Sequence, residues 1–260
     1  MPKTVAMMQP YWFPYLGYFQ LIAAADTFVL GDNLQYVHPS WVNRNRVLSA
    51  GQPLLFTLPL QKDRSELAIN QRQLGDRADE AVEKLLRTLA MTYSKAPYRD
   101  DVLALLQPLL RYSERNLALY LEHSLRQVCA YLQIETPMHV ASSLPVDERQ
   151  VLNKQDRVIK LARHLQAERY LNAIGGTTLY DEDYFTRHGI ELRFHRMDEL
   201  CYTQFKDPFV ANLSIIDVMM FNPVSRIRQW LACYSTLKPT PRSSAMTQEK
   251  NPAHVNENCP

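Results

Sequence analysis

The chain opens with a short apolar block, TVAMM, and passes through the aromatic run QPYWFPY into a helical pattern over residues 15–25. There Leu16, Phe19, Leu21, Ile22 and Ala23 form a broad apolar face. A second apolar block, TFVLG, follows at 27–31. Strand, helix and strand within so short a span predict a βαβ unit, and with it a parallel sheet and a right-handed crossover. Residues 46–50 and 53–58, joined at Gly51-Gln52, read as a hairpin. From 79 to about 132 the period lengthens to helical repeats such as AVEKLLRTLAM and NLALYLEHSLRQVCAYL, with Ser113 as the expected N-cap of the last helix. Alternation then resumes: MHVASSL as a strand, 147–164 as one helix or two, RYLNA as a strand, DEDYFTRHG as a short helix ending at Gly189, and IELRFH as a strand. A final helix is expected over 213–234, broken or kinked at Pro223. The whole predicts an α/β fold with a mainly parallel sheet. Residues 1–237 would form one domain with a helical insertion at about 78–132, and the polar, proline-containing 238–260 a disordered tail.

The aromatic turn concentrates candidate chemistry. Ligands of an open α/β sheet bind beyond the carboxyl ends of its strands, so Gln9, Tyr11, Tyr15 and Tyr18, with Gly17 beside them, are candidate ligand contacts. A packed aromatic corner is the structural alternative. After the second strand, GDNLQY and WVNRNR gather Asp32, Asn33, Gln35, Asn43, Arg44, Asn45 and Arg46 within fifteen residues. Arginine can hold a phosphate or carboxylate through two parallel hydrogen bonds, and the two asparagines flanking Arg44 supply directional donors. A solvated turn leading into a basic hairpin accounts easily for Arg46. RYLNA carries Asn172 at its carboxyl end and runs into Gly175-Gly176, two of only seven glycines in the chain, with Tyr180 beyond. Such a pair lets a backbone approach a ligand, though it also serves tight turns. Near the C-terminus, YTQF and SIIDVM bring Tyr202, Gln204, Ser214 and Asp217 together. Ser214 suits an N-cap with Asp217 in a capping-box position; alternatively the Asp217 carboxylate reaches the cleft.

Composition narrows the partner. With 260 residues, 46% hydrophobic content and a formal charge of +2, the chain can bury a large core and carries no field that would attract nucleic acid or an anionic membrane in general. No stretch is long and apolar enough to span a bilayer, so a cytoplasmic location and a small-molecule partner are expected. The four cysteines lack paired spacing, no HxH or HExxH run suggests a metal, and neither a Walker A loop nor a nucleophile elbow is present. No cofactor is indicated.

Several long motifs in order, QPYWFPYLGYFQLIAAADTFVLGDNLQY, NRNRV, YLNAIGGTTLYDEDYF, GIELRF, YTQF and LSIIDVMMFNP, resemble the WbqC-like protein family over roughly residues 4–231. The resemblance implies a context of bacterial surface-polysaccharide or specialised-metabolite biosynthesis. A second likeness joins PYLGY, Asp26 with TFVLG, and NLQY to the HIGH-motif nucleotidyltransferases and pantothenate synthetases. That likeness implies a Rossmann-like, HUP-type fold. Both motif histidines are tyrosines here, and a neutral phenol cannot supply the positive charge that adenylyl transfer uses.

Together these readings suggest a transferase acting on an amino group of a nucleotide-activated sugar or related metabolite, with an acyl or aminoacyl donor. Asp32, Asp217 and Tyr18 are its candidate catalytic residues. Gln9, Tyr11, Tyr15, Gly17, Gln35, Asn43, Arg44, Asn45, Asn172, Gly175, Gly176, Tyr180, Gln204 and Ser214 are its candidate substrate contacts. The alternative is a non-catalytic accessory protein that holds a nucleotide-sugar or carrier-bound intermediate.

Overall fold

A computed structural model describes residues 2–146, 153–205 and 208–239. Five parallel strands, β1 (Thr4–Met8), β2 (Thr27–Leu30), β5 (Met138–Val140), β6 (Arg169–Ala173) and β7 (Glu191–Met197), build the sheet. Its order is β5-β2-β1-β6-β7, closed at one edge by an antiparallel strand, β8 (Tyr234–Leu237). Strands that follow β1 are added first on one side and then, from β6 onward, on the other. The crevice between the carboxyl ends of β1 and β6 is therefore the point where the order reverses, the place where open α/β sheets hold ligands.

Both faces of the sheet are covered, as the continuous apolar runs of its central strands require. Strand periodicity sends Ala6, Phe28, Leu30 and Leu171 to one side, against α1 (Leu16–Ala23), the helices α2 (Ala78–Thr92), α3 (Arg99–Leu110) and α4 (Leu117–Tyr131), and α7 (Ile215–Phe221) with α8 (Val224–Trp230). Val5, Met7, Val29, Tyr170 and Leu192 face the other side, against α5 (Lys154–His164) and α6 (Glu182–Arg187). β3 (Arg44–Ser49) and β4 (Gln52–Thr57) form a separate antiparallel hairpin.

Several boundaries differ from the sequence expectation. The hairpin turns at Ala50-Gly51, both at positive φ (48° and 74°), one residue earlier than expected. Asn116, not Ser113, caps α4: its Oδ1 accepts from the backbone N–H of Ala118 and Leu119. The helix expected over 213–234 is broken at Pro223, as expected, into α7 and α8. The residue before a proline is pushed out of the α region, and Asn222 is extended (φ −133°, ψ 141°), so Pro223 ends one helix and starts the next. The residues after Trp230 then form β8 instead of continuing a helix. The first part of the helix expected at 147–164, Cys259, and nearly all of the expected tail lie outside the described residues. Among the described residues no helix is long and apolar enough to cross a membrane.

Candidate functional site

The aromatic turn leaves β1 at the crevice. Trp12 and Phe13 are buried, and the backbone carbonyls of the turn are held by side chains from distant elements. Asn45 Nδ2 donates to the oxygens of Trp12 (3.1 Å) and Phe13 (2.7 Å), and Ser214 Oγ donates to Phe13 O (2.7 Å). Tyr18 is buried on α1 and donates to Gln9 O at 2.8 Å; burial holds its phenol well above the usual value. Gln9 Nε2 reaches Gln35 O, and Gln35 Nε2 reaches Ser65 O. Gly17 is required by space: a Cβ there would stand 2.4 Å from the Tyr15 ring. The Tyr11 and Tyr15 rings stay partly exposed, and their phenols have no hydrogen-bond partner among the described residues.

On β3 the inward and outward residues separate cleanly. Asn43 and Asn45 are buried: Asn43 Oδ1 accepts from Tyr36 Oη (2.8 Å) and its Nδ2 donates to Leu58 O (2.8 Å). Arg44 and Arg46 point outward over the ring of Trp41. Arg72 lies over Tyr36, 4.9 Å from its ring centroid.

At the carboxyl ends of β2 and β5, beside the start of α4, lies a cavity of about 230 Å³. Pro10, Leu30 and Val140 give it an apolar side, and Asp32, Asn70 and Ser142 a polar one. Asp32 is 4% exposed, and its carboxylate accepts from Ser142 N (2.9 Å), Ser142 Oγ (2.5 Å) and Asn70 Nδ2 (2.9 Å). Glu122, the other charged residue of the wall, is ion-paired with Arg126 at 2.8 Å, so the charge of the wall rests on Asp32. It falls below the roughly 300–1,000 Å³ of a drug-sized site and suits one small ring or a short polar group.

Across the switch point, Asn172 Oδ1 accepts from Tyr170 Oη at 3.2 Å. A Cβ on Gly176 would come within 1.8 Å of Asn172 Nδ2, so any other residue there displaces the Asn172 side chain. Gly175, in contrast, has open space all round it and lies on the surface next to the exposed Ile174. Tyr180 packs edge-on to Tyr170 and Phe185.

Asp217 is fully buried behind the aromatic turn. It accepts from Tyr93 Oη (2.6 Å), Tyr202 Oη (2.6 Å) and Gln204 Nε2 (2.7 Å). Burial raises its carboxyl above the usual range, and the three donors pull it back down. Ser214 caps α7 by accepting from Ile216 N, while the Asp217 side chain turns away from the cap.

Gln9, Tyr11, Tyr18, Asp32 and Gln35 thus gather where β1 and β2 end, and Asn172, Gly175, Gly176 and Tyr180 where β6 ends. Gln204, Ser214 and Asp217 sit behind the turn, enclosed by protein. The sequence reading did not single out Trp41, Asn70 or Ser142. Arg46 carried a signal in its two-residue spacing from Arg44, whereas Asn70 and Ser142 reach Asp32 from 38 and 110 residues away and leave no local pattern. Among the described residues no group of three or more His, Cys, Asp or Glu could hold a metal ion.

Comparison with known proteins adds identity without an activity. The chain is 31% identical over 223 residues to the uncharacterized protein Rv1507c of Mycobacterium tuberculosis, a match covering 85% of this chain and 94% of that one. No solved structure matches it. The model of the WbqC-like protein family matches residues 9–229, a span that runs from the aromatic turn through the Asp32 cavity and the β3 arginines to α8. The chain belongs to the WbqC-like protein family.

Proposed function

We propose that the protein is a cytoplasmic transferase of Rossmann-like, HUP-type fold that acylates or aminoacylates an amino group on a nucleotide-activated sugar or related metabolite, in surface-polysaccharide or specialised-metabolite biosynthesis. The observation that carries this reading is the Asp32 cavity: a one-ring-sized recess at the carboxyl edge of a parallel sheet, with a buried carboxylate fixed by three donors. Such a carboxylate is an anchor for a substrate amine. In the transfer step the amine nitrogen attacks the donor's acyl carbon and a C–N bond forms. The bond from that carbon to the donor's leaving oxygen or sulfur breaks, and the amine proton passes to Asp32 and then to the leaving group. Asp217 is enclosed by Tyr93, Tyr202 and Gln204 and acts in this reading as a positioning residue. The strand order, reversing between β1 and β6, supports the Rossmann-like assignment.

The test compares UDP-glucosamine with UDP-glucose by thermal shift, on wild type and Asp32→Asn, followed by thiol release from acyl thioesters. Wild type should favour the amine and Asp32→Asn should not. Equal shifts for amine and hydroxyl in both proteins would remove the reading. A non-catalytic accessory role is favoured by the free polar atoms of Tyr11, Tyr15, Arg44 and Arg46, which are binding groups; amine-selective binding without any turnover would establish it.

A further inference from the structure

Trp41 precedes β3 and is 40% exposed. The Arg44 guanidinium lies 5.2 Å, and that of Arg46 5.3 Å, from its ring centroid. Residues two apart on a strand share a face, so both arginines leave β3 on the side that carries Trp41, and the indole keeps 40% of its surface in solvent. Neither guanidinium makes a hydrogen bond or ion pair with a described residue, and the Nε of each is buried without a partner. Other arginines of the chain find carboxylates: Arg77 pairs with Glu80, Arg111 with Glu83, and Arg169 with Glu191. Two guanidiniums held on one indole with no carboxylate partner leave their hydrogen-bond donors open to an anion.

We infer that Trp41, Arg44 and Arg46 form a nucleotide subsite, with the base stacked on the exposed indole of Trp41 and the phosphates held by the two arginines. Forked guanidiniums match phosphate oxygens, and an exposed indole stacks any base. Arg72 extends the positive region: it and Arg44 both act on the phenol of Tyr36, whose neighbour Gln35 contacts Gln9 at the end of β1. The segment from Asp32 to Tyr36 runs alongside residues 67–70. The inference deepens the proposed function by placing its substrate's nucleotide, and it is read by binding alone.

Of the chain's three tryptophans, Trp12 and Trp230 are buried, so intrinsic fluorescence reports a ligand on Trp41. The probes are UDP, ADP, pyrophosphate and a short oligothymidylate. UDP or ADP should quench the emission, pyrophosphate should compete, and Trp41→Phe should abolish the quench. Arg44→Ala and Arg46→Ala should each weaken nucleotide binding tenfold or more while keeping the wild-type Tm. The inference is overturned by absence of quenching at millimolar nucleotide, by quenching that survives both arginine variants, or by quenching with oligothymidylate alone. Any of these leaves the amine selectivity of Asp32 standing, and loss of that selectivity leaves nucleotide quenching standing.

Discussion

Replacing Asp217 by Asn removes one carboxylate oxygen from a knot in which three donors converge on two oxygens. Tyr93 Oη donates to Oδ1 while accepting from Leu48 N, and Tyr202 and Gln204 share Oδ2. If the Asn carbonyl takes the place of Oδ2, its amide nitrogen faces the Tyr93 hydroxyl, whose proton then has no acceptor. One hydrogen bond to a charged group, worth about 1.5–3 kcal/mol, is lost outright, and the other two weaken to neutral bonds. Relief of the buried charge offsets part of this, in keeping with burial being the largest influence on the Asp217 carboxyl. The net destabilisation should be about 2–3 kcal/mol, or roughly 5–10 °C in Tm for a chain of this size. Thermal unfolding of Asp217→Asn, Tyr202→Phe and the double variant checks it, because partners in one knot must couple by 0.5 kcal/mol or more. An unchanged Tm would falsify the structural role. So would an unchanged Tm accompanied by loss of ligand binding, which would make Asp217 a cleft residue.

Gly176→Ala should destabilise by about 1–3 kcal/mol, since the new Cβ drives Asn172 off Tyr170; Gly175→Ala should leave Tm unchanged, and equal Tm values for the two variants would contradict the packing. His195 is buried on β7 with Nε2 unpartnered, and burial pushes its pKa down to about 4 from an ordinary 6.5. The unfolded chain therefore takes up the proton first, so this group's contribution to stability is complete above about pH 6.5 and lost as pH falls toward 4, by at most about 3 kcal/mol. Tm profiles from pH 7 to 4 should be flatter for His195→Phe than for wild type, and parallel profiles would refute the assignment; the raised Asp217 carboxyl acts in the opposite direction but equally in both proteins. Asn116→Ala removes the α4 cap and should cost about 1 kcal/mol, with Asn116→Ser recovering most of it.

The parallel strands were legible because their apolar runs are continuous, as burial on both faces demands: TVAMM, TFVL and RYLNA read as strands and are strands. β8 was not legible, for a physical reason. YSTL is short, half-exposed and paired only along the edge of β7, so it carries little apolar signal of its own. The reversal of strand order needed three dimensions, since no local pattern says on which side of β1 the later strands insert. Positions at or just past strand ends, such as Gln9, Asp32 and, next to the last residue of β6, Asn172, could be picked out from sequence because the place is defined by the strand. What each side chain does there could not, because its partners come from elsewhere.

The run Asn43-Arg44-Asn45-Arg46 shows how the two kinds of information meet. Read as composition it is a cluster of ligand donors; read with a strand period of two it is two rows. The inward row fixes the chain: Asn45 holds the Trp12 and Phe13 carbonyls and accepts from Arg46 N at 2.8 Å, and Asn43 ties Tyr36 to Leu58 O. The outward row is thereby held over Trp41 with its guanidiniums free. The rows should separate experimentally. Asn45→Ala leaves the buried Trp12 carbonyl without a donor and Phe13 O with Ser214 alone, and should cost about 1–3 kcal/mol, seen as a lowered Tm. Arg44→Ala removes a half-buried charge and its contact with Trp41 but breaks no hydrogen bond, so its stability should stay within about 1 kcal/mol of wild type while nucleotide quenching of Trp41 weakens. If Arg44→Ala unfolds the protein and Asn45→Ala does not, the arginines are the structural row and the free-cation argument fails.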